Sequence, residues 1–331
     1  MTTVERSWLH ARMRDLVLLL LCALAWAAAA AAEPVPPETP HAFRVTQATR
    51  APMVAIARAG SRLVAAGDYG VIVLSDDAGN TWRQAHDVAS RDLLTAVTFV
   101  DASHGFAVGH GGTILRTEDG GENWMRVFAG QRDVPLLAVW FEDARHGIVV
   151  GAFGTALETR DGGRQWREII VGEGDARDRH LNGIVALKDG TLLITAEAGT
   201  LFRSNDGGAT WKVQAVPYNG SLWGGLALRD GSALVFGMRG HILRSTDQGR
   251  TWTDVATGTN QSLTAAAELG DGTVVLVGLS GTVLRSADAG STYSADVRPE
   301  RQTFTGVTEA ARGQWVLTAM SGIVKSPAPP R

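Results

Sequence analysis

The octapeptide SNDGGATW, Ser204 to Trp211, sets an acid, two hydroxyls, two glycines and an indole within one short stretch. A carboxylate beside hydroxyls can serve general acid–base chemistry or hold a hard cation, which makes Asp206 the first residue to test. The stretch recurs, however, as SDDAGNTW, TEDGGENW, TRDGGRQW, STDQGRTW and SADAGSTY. Six equivalent catalytic acids, Asp77, Asp119, Asp161, Asp206, Asp247 and Asp288, make no mechanistic sense in one chain. Asp76, Asp77 and Asn80 also fall short of a calcium loop, which needs more ligands and a distal Glu. The pattern Ser/Thr-x-Asp-x-Gly-x-x-aromatic reads as a turn. Hydroxyl and carboxylate oxygens engage nearby amides, and glycine supplies a positive φ. The aromatic residues Trp82, Trp124, Trp166, Trp211, Trp252 and Tyr293 then open the next strand and tuck back on their own sheet. No catalytic residue, metal site or cofactor is assigned.

These boxes must be positioned by repeated elements. Successive box aromatics are separated by 42, 42, 45, 41 and 41 residues. A second marker precedes each box: GDYG, GHGG, GAFG, AEAG, GMRG and GLSG, with a seventh copy, AMSG, near the C-terminus. Between the markers lie runs of four to eight aliphatic or β-branched residues, such as LLTAVTFV and GTILRT, bounded by Gly- and Asp-rich turns, which is strand logic. Four strands per unit, repeated seven times, predicts an all-β chain folded as a seven-bladed β-propeller over residues 41–326, with a tail at 327–331. Unit seven holds only three strands, while an orphan strand, HAFRVTQA (41–48), precedes unit one. The expectation is that this N-terminal strand supplies the outer strand of blade seven and closes the ring. Deletion of 41–49 should then destabilise the whole domain.

The chain starts separately. Arg6, Arg12 and Arg14 precede an uncharged apolar run at 16–32, followed by the Pro-rich linker 33–40. A basic start, an apolar core and small residues at Ala30 and Ala32 read as a signal peptide spanning 1–32, cleaved near Ala32, with export to the periplasm. An uncleaved membrane anchor is the alternative. The only cysteine, Cys22, lies inside this run, which leaves the mature chain without disulfide or thiolate chemistry. A net charge of -3 with no block of Lys or Arg excludes a nucleic-acid surface. A monomer is expected.

The octapeptides resemble the Asp-box of bacterial neuraminidase (BNR) repeats, over six of the seven units. That motif speaks for fold more than for function. Seven blades of this length, the Gly-x-x-Gly marker and an exported chain together look like the photosystem II stability/assembly factor family and its bacterial relatives. The resemblance implies a non-enzymatic assembly factor that binds a membrane-protein client through a basic patch. Some relatives occur with envelope transporters, which gives a second reading: a periplasmic accessory of a lipid or efflux transporter. A third is a sialidase-like or glycan-binding propeller. Ala42–Gln47 superficially resembles the Phe/Tyr-Arg-Ile-Pro motif of sialidases, but Thr46 replaces the proline. Tyr293 sits in a box, and no Glu partner can be assigned to Tyr69 or Tyr218. Sialidases belong to the glycosidases that use a Tyr nucleophile, so hydrolysis is set aside.

Function is therefore expected on the rim opposite the boxes, where the marker turns and the crossovers between blades meet. Side chains there vary: Tyr69, His110, Phe153 and Arg239 stand at marker tips. Arg50, Arg91 and Arg301 fall just before the first strands of blades one, two and seven, with Arg132 and Arg298 nearby. Varied residues on a uniform scaffold suit recognition of a protein client, and an arc of arginines suits carboxylates. The leading reading is an exported, non-catalytic scaffold or assembly factor for a membrane or envelope protein complex.

Overall fold

Short β-rich runs separated by glycine turns cannot bury both faces alone, so they assemble into small sheets stacked face to face. The computed structural model describes residues 39–130 and 134–325, which form seven antiparallel sheets. Blade one is built from Met53–Ala59, Arg62–Gly67, Ile72–Ser75 and Arg83–Gln84, hydrogen-bonded in chain order. Blades two to six repeat this order over 94–129, 136–168, 181–214, 222–255 and 263–297, and blade seven spans 304–325. The second strand of each blade is fully buried, as in Gly105–Gly109 and Gly147–Gly151, and its near-continuous apolar run reflects cover on both faces. The expected seven-bladed propeller is the observed fold. The signal peptide and nearly all of the linker, at 1–38, and the tail lie outside the described residues.

Each first strand carries a β-bulge at its second residue, giving a register shift in all seven blades, for example between Leu94 and Ala96. A bulged residue leaves the regular ladder and can be re-aimed. Four of the seven are polar and use that freedom to reach the next blade. Thr95 Oγ1 donates to Leu136 O (2.6 Å), Asn182 Nδ2 to Leu222 O (2.9 Å) and Thr264 Oγ1 to Phe304 O (2.8 Å). Thr305 Oγ1 donates to Met53 O at 2.6 Å, so blade seven is stitched to blade one in the same manner as interior neighbours.

The ring therefore closes by blade packing, not by strand donation as expected. Blade seven has three strands among the described residues, Phe304–Ala311, Gln314–Ala319 and Gly322–Lys325. Residues 41–47 form no strand and lie along the outer side of blade one instead. Ala42 N donates to Val88 O (2.9 Å), Arg44 Nη2 to His86 O (2.6 Å) and Val45 N to Gln84 Oε1 (3.1 Å). Arg91 fixes the segment by donating to His41 O (2.7 Å) while its guanidinium lies 3.8 Å from the Phe43 ring centroid. Together these contacts outweigh one short ladder at the blade-seven edge, since a cation over an aromatic face adds to the hydrogen bonds. The contribution of 41–48 to closure is its end: Ala48 is buried with Met53, Val73 and Ile323.

Candidate functional site

The boxes occupy one rim and are internally saturated. In blade four, Ser204 Oγ donates to Asp206 Oδ1 (2.7 Å) and accepts from Gly208 N (2.9 Å). Asp206 Oδ1 also accepts from Thr210 N (2.9 Å), and Oδ2 accepts from Thr210 Oγ1 (2.6 Å). The Ser/Thr–Asp–amide circuit recurs at Asp77, Asp119, Asp161, Asp247 and Asp288. Both carboxylate oxygens of Asp206 are thus spent on holding the turn. The Thr210 hydroxyl first, then its amide and the Ser204 hydroxyl, hold the Asp206 carboxyl down at about 2, and the Thr81 hydroxyl leads the same effect at Asp77, also about 2.

A pH dependence follows. A carboxyl whose folded pKa lies below its unfolded value of about 4 adds stability above that value, and the contribution is lost as pH falls through the folded value. Between about pH 4 and pH 2 the denaturant midpoint of the domain should fall, and in Asp206→Ala that fall should be shallower. The variant should also be less stable than the parent at neutral pH. Parallel pH curves for the two proteins would show that this carboxylate is not coupled to folding.

The opposite rim is formed by the marker turns and the crossovers. In each of the first six markers the third residue and the final glycine both have positive φ, as at Tyr69 (54°) and Gly70 (69°) or Arg239 (55°) and Gly240 (76°). That pair of left-handed residues throws the third side chain outward. Tyr69 and Phe153 are 62% and 66% exposed, and His110 and Arg239 also stand in solvent. Phe153 meets the His180 ring edge-on at 4.7 Å and borders a cleft of about 660 Å³ lined by Phe128, Val134, Leu136, Leu157 and Trp166.

The arginines divide. Arg50 and Arg301 are exposed in the crossovers into blades one and seven and pair with no acid among the described residues. Arg50 sits against Gly322 of blade seven, and Arg301 against Gly281 of blade six, so the two occupy successive crossovers. Arg91, in the next crossover, is exposed but committed to His41 and Phe43. Arg298 is not a rim ligand: its side chain is 14% exposed and turned toward Glu300, with Nε to Oε2 at 3.8 Å. Arg132 lies outside the described residues. The arc expected from sequence reduces to Arg50 and Arg301, with Arg91 partly masked.

One cluster on the box side escaped sequence reasoning. Glu158 occupies the third-strand position that holds Arg116, Arg203, Arg244 and Arg285 in four other blades. Its carboxylate is 1% exposed and accepts from His146 Nε2 (3.0 Å), from Arg160 Nη2 (2.6 Å) and from Arg167. The signal was in the alignment of the repeats, as one acid in a column of bases. With all these partners satisfied inside blade three, the cluster holds its outer hairpin together.

Set beside known proteins, the family model "Photosynthesis system II assembly factor YCF48" matches residues 126–252 and 186–324, together more than half of the chain. No curated protein matches the sequence. Among solved structures, one described as "YCF48 bound to D1 peptide" is 19% identical with a TM-score of 0.68, over 88% of this chain and 97% of that one. YCF48 from Cyanidioschyzon merolae is 15% identical with a TM-score of 0.66, over 88% and 96% of the two chains. At these identities the structural likeness speaks for the propeller fold, and the family match stands on its own. Repeat spacing, blade architecture and family match agree: the chain belongs to the photosynthesis system II assembly factor YCF48 family.

Proposed function

We propose that the protein is an exported, non-catalytic scaffold that binds a chain of a membrane or envelope protein complex through the rim opposite its Asp-boxes. The observation that carries this reading is the division of labour between rims. Box polar groups are consumed by the fold, whereas the opposite rim presents Arg50, Arg301, Tyr69, His110, Phe153 and Arg239 to solvent on a uniform frame. Guanidinium forks favour carboxylates bidentately, which suits an acidic segment or a chain terminus. The solved relative described as bound to D1 peptide supports a peptide-binding role for this chain as well. The client stays with the host, so the test is made there. The Arg50→Glu/Arg301→Glu protein should recover at least about tenfold less of the client that co-purifies with the parent after cross-linking, since hydrogen bonds to charged groups contribute about 1.5–3 kcal/mol each. Its melting temperature should match the parent's, because both side chains are exposed. Undiminished recovery would remove the rim from consideration.

A further inference from the structure

Blade seven is the one sheet that has three strands among the described residues, and its edge is not guarded. In blades one to six a fourth strand pairs antiparallel with the third, as Leu243 with Asp254 and Leu284 with Ala295. The equivalent edge in blade seven is Gly322–Lys325, with Ile323 and Val324 half-buried. Native edges are normally blunted by a projecting charge, a proline or a cover. Lys325 does not project: its Nζ donates to Asn80 O of the first box (3.2 Å). The chain has no evident strand of its own to add here. Residues 41–47 are held on blade one, and Pro327, Pro329 and Pro330 in the C-terminal stretch cannot donate to a ladder.

Direction and charge specify the occupant. A fourth strand antiparallel to Gly322–Lys325 ends at the crossover rim. Its last residues would arrive at Gly322, beside Arg50 and the exposed Met320 (53%). An added segment thus brings its carboxyl end to a free guanidinium. We infer that the Gly322–Lys325 edge is a strand-addition site that takes the extended C-terminal end of the client, backbone paired along the edge and terminal carboxylate at Arg50. Strand addition supplies main-chain hydrogen bonds while side-chain pockets set preference. This inference rests on the proposed client-binding rim and names how a chain end docks there.

The test places a photo-cross-linking amino acid at Met320, and separately at Lys325, in the full chain expressed in its host. A strand rises about 3.3 Å per residue, so the two probes should label one client segment in a fixed order. Position 320 should capture the last residues of the client, and position 325 residues about five earlier. The reverse order, labels on unrelated segments, or cross-links between two copies of this chain would overturn strand addition. A probe at Tyr69 or Arg239 that captures the client when both edge probes capture nothing defeats the inference and leaves the rim assignment standing. If no rim probe captures it, both fail. The edge probes require no destabilising change, since Met320 and Lys325 are exposed.

Discussion

Trp124→Ala should lower the unfolding free energy by about 3–5 kcal/mol, the range for truncating a large buried aromatic. For a domain of this size that corresponds to a fall of roughly 10 °C in melting temperature. Trp124 is the most buried of the six box aromatics, 1% exposed, and its Nε1 donates to Gly121 O at 2.9 Å. Its ring meets Phe99 edge-on, with centroids 5.8 Å apart and planes at 79°, and joins a cluster with Leu74, Leu94 and Leu115 that spans blades one and two. Truncation thus removes packing between blades as well as within one. The sixth box supplies the contrast. Tyr293 keeps the aromatic body but carries a buried hydroxyl without a hydrogen-bond partner, and burial pushes its pKa upward. Removing an unsatisfied polar atom while keeping the ring costs nothing, so Tyr293→Phe should be neutral or slightly stabilising. Chemical denaturation of the two variants checks both, and a Trp124→Ala loss below about 1 kcal/mol would show the box aromatics to be peripheral.

The contrast explains what could be read from the chain alone. The boxes were legible because six copies with variable x positions separate what the turn needs from what it tolerates. Blade number followed from marker spacing, and strand type from short β-branched runs. The N-terminal segment misled because strand-like alternation in HAFRVTQA says that it can pair, not with what. Its partner was decided by Arg91, forty-odd residues away, through contacts to His41 and Phe43 that no local pattern encodes. Arg298 misled for a related reason. Crossover residues alternate between facing solvent and facing the neighbouring blade, and a one-residue difference separates exposed Arg301 from a side chain tucked beside Glu300. The interblade stitches were hidden because a bulge at the second position of each first strand breaks the period-two alternation on which strand reading depends. The box side was thus nearly complete in the sequence, whereas the rim that carries function needed tertiary structure to sort free arginines from committed ones.

The position of ring closure gives the second large effect. Gly322→Ala should destabilise the domain by more than about 3 kcal/mol, well above the ordinary cost of a surface substitution. Gly322 has φ 108°, which L side chains rarely adopt, and a Cβ there would lie 1.9 Å from Thr49 O and 2.8 Å from Arg50 Cα. Both are backbone atoms, so no rotamer change relieves the overlap, and blade seven must part from the segment entering blade one. Gly207→Ala isolates the dihedral contribution: its φ is 69°, yet a Cβ would meet nothing within 4 Å. That variant should cost only about 1 kcal/mol, the left-handed penalty of a non-glycine residue. A third protein lacking residues 39–46 completes the set. Those residues lie on the outer side of blade one and the seam is built from Thr49, Gly322, Thr305 and Met53, so the truncated protein should keep nearly the full melting temperature. The opposite ranking, a severe loss on truncation and a mild one at Gly322, would return closure to the N-terminal strand. In the ranking expected here, the seam stays shut without that strand, and the blade-seven edge is left open to another chain.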